Sequence, residues 1–133
     1  MIRGMATAVL LACVWAAPAP GRERSGSGGR TYALLIGLNY TNDSEMAGSR
    51  LRYSANDVEA IREMLLAYWG AAAADIDVLT DDENPDARLV KRRIAALANR
   101  AGPGDRIVLF YSGHGATDAE GRWGLVPYRP NRE

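Results

Sequence analysis

Histidine and cysteine each occur once in these 133 residues, as His114 and Cys13. One cysteine cannot close an internal disulfide, and one cysteine with one histidine cannot supply a zinc-binding spacing. Charge of one sign is also missing: 16 Lys and Arg face 16 Asp and Glu. That balance removes the electrostatic reason to expect nucleic acid or an anionic membrane as the main partner. No Gly-x-Gly-x-x-Gly or Walker-type loop follows the first apolar strand, where a nucleotide phosphate would need it, which argues against a flavodoxin-like nucleotide binder. No apolar run reaches the roughly 20 residues that span a bilayer. What is present is 47% apolar residues, enough to pack the core of one small domain.

The N-terminus, "MIRGMATAVLLACVWAAPAPGRERS", has one early positive charge, an apolar stretch from Met5 to Ala17, and then small residues and prolines. This is the pattern of a secretory signal over residues 1–20, so the protein is expected to be exported, periplasmic or extracellular. A second reading takes "LLAC" as a lipobox, in which case Cys13 carries a lipid and anchors the protein to a membrane. In either reading Cys13 stands outside the fold and is not a catalytic thiol. Residues 21–30, "GRERSGSGGR", read as a flexible linker.

From residue 31 the pattern is β-α-β-α-β. "TYALLIGLN" and "DRIVLFYSG" are continuous apolar runs, as expected of strands buried on both faces of a parallel sheet, and "DIDVLT" is a shorter strand between them. "SANDVEAIREMLLAYWG" spaces Val58, Ile61, Leu65 and Tyr68 or Trp69 as one helical stripe. Ser54 and Asp57 fit a capping box and Gly70 a stop. In "NPDARLVKRRIAALANRAG", Asn84 is placed as cap, Pro85 in the first turn, and Leu89 or Val90, Ile94 and Leu97 as the apolar stripe. The basic run "RLVKRR" reads as that helix's solvent face. Function in such sheets collects at the carboxyl ends of the strands. Here those ends are "GLNYTND", "TDDENPD" and "SGHGATD".

His114 directly follows the third strand. A neutral imidazole is the natural general base near neutral pH. Gly113 and Gly115 are expected to give the backbone positive φ and a close approach to substrate, with the Gly115 N–H available to an oxyanion. Ser112 is read as a turn residue rather than a nucleophile.

The succession "YALLIGLNYTND", "LRYSANDVEAIREML" and "DRIVLFYSGHG" resembles the caspase-like cysteine peptidases (peptidase C14), in particular the bacterial metacaspase type, over about residues 31–127. The resemblance implies a three-layer α/β fold with a mainly parallel sheet, incomplete here on its C-terminal side, over residues 31–133. It implies that His114 is the catalytic histidine, that Gly115 contributes the oxyanion N–H, and that Asp57 lines the primary specificity pocket, directing cleavage after Arg or Lys of a peptide or protein substrate. Asp57 has a plainer reading as a first-turn carboxylate that stabilises the helix dipole. No cofactor or metal is implied, except that some relatives are calcium-activated. The acids of "DIDVLTDDENPD" and "TDAEG" are read first as loop ends and caps.

The caspase-type nucleophile stands about 50 residues after the histidine, near position ~164, past Glu133. The chain is therefore expected to be the N-terminal portion of a peptidase domain, inactive alone. A short pseudoenzyme or interaction module with the same histidine segment is the alternative. One edge of "RIVLFY" is expected to lie unpaired, a hazard for aggregation. In "LVPYRP", Arg129 stands where the family commonly has aspartate. Oligomeric state is not legible.

Overall fold

The computed structural model describes residues 3–15 and 29–129. Five strands form one open sheet: β1 (Arg3–Trp15), β2 (Thr31–Gly37), β3 (Ile76–Leu79), β4 (Arg106–Thr117) and β5 (Trp123–Leu125). Among the described residues two α-helices accompany them, α1 (Ser54–Tyr68) and α2 (Ala87–Arg100). The strand order is β1-β4-β2-β3, with β5 also paired to β4. β2 runs parallel to both β3 and β4, while β1 and β5 run antiparallel to β4. Among the described residues no helix is long and apolar enough to cross a membrane.

The seven residues of β2 are all buried, as their unbroken apolar run requires. Alternation along β2 divides the core in two. Leu34, Ile36 and Leu38 pack with Leu79, Tyr111 and Leu97 of α2. Ala33 and Leu35 pack with Val108, Phe110 and with Val58 and Leu65 of α1. The helices thus cover opposite faces, giving the three-layer α/β arrangement expected.

Ser54 is the first residue of α1 rather than its cap: Tyr53 holds the cap position without a side-chain bond, and the Ser54 N–H goes to Asn39 Oδ1 at 3.0 Å. Gly70 does end α1, at φ +65°, letting the Ala71 N–H return to Leu65 O. Tyr68 is 84% exposed, so the stripe of α1 ends at Leu65. α2 is capped by Asp86, whose carboxylate takes the Leu89 N–H at 2.7 Å. Asn84 instead turns the chain in the left-handed region at φ +42°. Leu97 is the fully buried residue of the α2 stripe, and Ile94 is exposed.

The edge of β4 expected to be bare is covered. β1 pairs along it from Trp15↔Arg106 to Arg3↔Thr117. β1 comes from the apolar stretch read as the body of the export signal, and its outward residues Val9, Leu10 and Leu11 are exposed. The linker expected over 21–30 lies outside the described residues apart from Gly29 and Arg30.

At the amino end of the sheet, buried Asp75 accepts Arg30 Nε and Nη2 and Arg100 Nη2 at 2.7–3.0 Å. Both guanidinium groups also lie over the Tyr32 ring, at 5.4 and 5.0 Å. This clamp ties β2, β3 and α2 together far from the strand ends where His114 lies.

Candidate active site

The three segments at the carboxyl ends of β2, β3 and β4 converge. β4 extends to Thr117, so Ser112, Gly113, His114 and Gly115 are strand residues rather than loop residues. The turn comes later, at Asp118–Arg122, where Gly121 takes φ +80° and Asp118 holds Arg122. Gly113 and Gly115 do not have positive φ. Their missing side chains serve packing instead. A Cβ on Gly113 would meet the Tyr111 ring, and one on Gly115 would meet the Trp123 indole at 2.8 Å. Gly115 stands in register with Ala6 of β1 and Leu125 of β5.

His114 is buried, 6% exposed. Its Nε2 lies 2.5 Å from the Ser49 carbonyl oxygen. A carbonyl only accepts, so Nε2 carries the proton and donates. Nδ1 then presents its lone pair, and it is buried with no partner among the described residues. The His114 N–H donates to Tyr40 Oη at 2.9 Å, and its carbonyl accepts from Tyr111 Oη and from the Val126 N–H. The Tyr40 ring lies 4.9 Å from the imidazole at 30°.

Ser112 is buried and donates through Oγ to Asp57 Oδ2 at 2.7 Å. A charge-assisted bond of this kind contributes about 1.5–3 kcal/mol. Asp57 is half-buried in the first turn of α1, and its own N–H goes to Tyr53 O. Thus the structure places Asp57 beside the strand that carries His114, two residues before it. Ser112, read from the sequence as a turn residue, is the link.

Burial raises the Tyr40 hydroxyl, holds that of Tyr111 well above the usual tyrosine range and pushes Tyr128 up to about 12. All three therefore remain neutral donors at physiological pH. The acidic segments are spent locally. Asp81 accepts from the loop after β2, Glu83 closes on Thr80, and Asp86 caps α2. Among the described residues no three His, Cys, Asp or Glu side chains converge on a metal site. Cys13 is exposed on β1 opposite Val108. Thr7 of β1 faces His114, so Cys13 stands six residues along the strand from that level, about 20 Å at the usual rise.

Comparison with protein families matches residues 31–124 to the metacaspase, peptidase C14 domain. The chain belongs to the metacaspase family of caspase-like cysteine peptidases. The match takes in Tyr40, Ser49, Asp57, Asp81, Ser112, His114 and Gly115, and ends just before Val126 and Tyr128. Metacaspase-1 of Scheffersomyces stipitis is 38% identical over 103 residues, covering 74% of this chain and 25% of that protein. Metacaspase-1 of Debaryomyces hansenii is 36% identical over 98 residues, 70% of this chain and 21% of that protein. Metacaspase-9 of Arabidopsis thaliana is 33% identical over 99 residues, 70% and 29% respectively. The chain thus spans between a fifth and a third of the length of these relatives. Peptide or protein substrates are those of the peptidase family.

Sequence reasoning missed Ser49, Tyr40 and Asp81. Ser49 acts through its backbone carbonyl, which leaves no side-chain signal. Tyr40 and Asp81 stood inside strand-end segments already marked as functional, without a reason to single them out.

Proposed function

We propose that this chain carries the base and the specificity carboxylate of an Arg/Lys-directed cysteine endopeptidase, with His114 as general base. The observation that supports this is the buried, unpartnered Nδ1 of an imidazole whose Nε2–H is committed to Ser49 O. A thiol brought to Nδ1 would transfer its proton there, leaving a thiolate beside an imidazolium. The thiolate attacks the scissile carbonyl carbon, and the imidazolium then protonates the departing amine. Water, deprotonated by the same Nδ1, releases the acyl group. The Ser49 carbonyl stabilises the imidazolium and keeps the ring in one tautomer, the work a carboxylate does in other triads. Gly115 is proposed to contribute an N–H to the tetrahedral oxyanion once Ala6 of β1 has left its register opposite it.

Asp57 is the proposed receptor for the basic side chain before the cleaved bond. Ser112 engages Oδ2, and Oδ1 makes no hydrogen bond among the described residues, so it is open to a guanidinium or ammonium. Cys13 is too far along β1 to be the nucleophile. We place the nucleophilic thiol outside these 133 residues, which alone are proposed to be inactive. Residues 1–20 are proposed to direct export, and Arg3–Trp15 can occupy the edge of β4 only while that segment stays on the chain.

Sequencing the coding DNA past codon 133 tests the first requirement: a cysteine about 50 codons after His114 is expected. In the extended protein, fluorogenic peptides ending in Arg or Lys should be cleaved. His114→Ala should abolish turnover, and Asp57→Asn should lower kcat/KM for basic peptides by about 10² through loss of a charge-assisted contact. Full turnover by His114→Ala would refute the base assignment.

A further inference from the structure

Tyr40 is fully buried and adopts φ +62°, a left-handed conformation that a bulky aromatic residue rarely takes. Such a backbone persists only where its surroundings over-determine it. Here the cause is one carboxylate. Buried Asp81, just past β3, accepts the backbone N–H groups of Asn39, Tyr40 and Thr41 at 3.0–3.1 Å and Thr41 Oγ1 at 2.7 Å. Three consecutive amides on one side chain fix the direction in which the loop leaves β2.

That loop supports His114 from two directions. The Tyr40 hydroxyl gives its single proton to Val126 O at 2.5 Å, which leaves its oxygen to accept the His114 N–H. Its ring lies against the imidazole and is itself stacked on Tyr128 at 5.6 Å. Asn39 holds the segment that supplies the other end of the bond. Its carbonyl accepts the Leu51 N–H at 3.0 Å and its Oδ1 accepts the Ser54 N–H, bracketing the stretch that follows Ser49. The imidazole and the carbonyl it donates to therefore hang on the same three-residue loop.

We infer that Tyr40 and Asp81 are positioning residues for His114: Asp81 locks Tyr40 in its left-handed backbone, and Tyr40 aims the imidazole so that Nε2–H meets Ser49 O. The catalytic meaning of that aim rests on the proposed role of His114 as base; the aim itself does not.

Because His114 is the only histidine, its imidazole signals in ¹⁵N-edited spectra of the full chain need no assignment. The Nε2 proton of the intact protein should appear strongly deshielded and exchange slowly with water. Tyr40→Phe, which keeps the ring, and Asp81→Asn should each raise that exchange rate at least about tenfold, as expected when a buried hydrogen bond opens more often. Asp75→Asn is the control. It loosens the Arg30–Arg100 clamp at the other end of the sheet, and should lower thermal stability without changing the His114 proton. If Asp81→Asn does not fold, Tyr40→Phe decides alone. A folded Tyr40→Phe with wild-type exchange, or an Asp75→Asn that accelerates exchange equally, would overturn the inference. Failure of the base assignment would show in peptide turnover and leave this proton protected, so the two are separable.

Discussion

Three tyrosine hydroxyls close the wall behind His114, and each is held neutral by burial. The Tyr40 hydroxyl donates to the Val126 carbonyl, Tyr111 donates to the His114 carbonyl with its oxygen 3.1 Å from Val126 O, and Tyr128 receives the Asn42 N–H. An acid whose folded pKa is raised stabilises the fold fully below its unfolded pKa, near 10. Above that value the unfolded chain ionises first, and stability drains away between 10 and, for Tyr128, about 12. The urea midpoint should therefore be flat from pH 7 to 9 and fall steeply above 10, and Tyr128→Phe should flatten the fall. A midpoint unchanged at pH 11 would contradict the packing drawn for these rings. At this scale His114, Gly115 and Asp57 stood out in the sequence by residue type and by their motif. What their side chains and backbone touch did not. The partner of the imidazole is a peptide carbonyl, and the glycines flanking it serve ring packing in an extended strand rather than a turn.

The elements were legible where the signal is local. Continuous apolar runs became β2 and β4, and spacing at three and four residues became α1 and α2. Their ends were less legible, because capping depends on which oxygen reaches which N–H, an offset of one or two residues. Ser54 sits inside α1, and Asp86 rather than Asn84 caps α2. The contact between β2 and α1 was not foreseeable either. A Cβ on Gly37 would come within 2.4 Å of Ser54 O and 2.6 Å of Val58 Cγ2. The first obstacle is backbone and cannot swing aside. Gly37→Ala should therefore push α1 off the sheet and cost at least about 2 kcal/mol, read as a lowered denaturation midpoint. Because Ser54 and Asp57 ride on that first turn, the Ser112–Asp57 bond should loosen with it.

For the whole molecule, the sheet topology followed from the β-α-β-α-β order, but the neighbour of β4 did not. Pairing between residues a hundred positions apart has no periodic signature, and β1 had been read for its targeting character alone. Deleting residues 1–15 should expose the apolar flank of Ile107 to Tyr111 along β4. The shortened protein is expected to self-associate with rising concentration by light scattering, whereas the full chain should do so less. Equal scattering from both would mean that β1 does not protect this edge.

The pairing of β1 with β4 also makes the sheet exclusive on that side. Twelve residues of β4 offer one row of backbone donors and acceptors, and β1 already uses it. Any strand arriving there, from further along the same polypeptide or from another copy, must enter by exchange rather than by addition. The rate at which β1 peels away would then set the rate at which such a strand could settle beside His114.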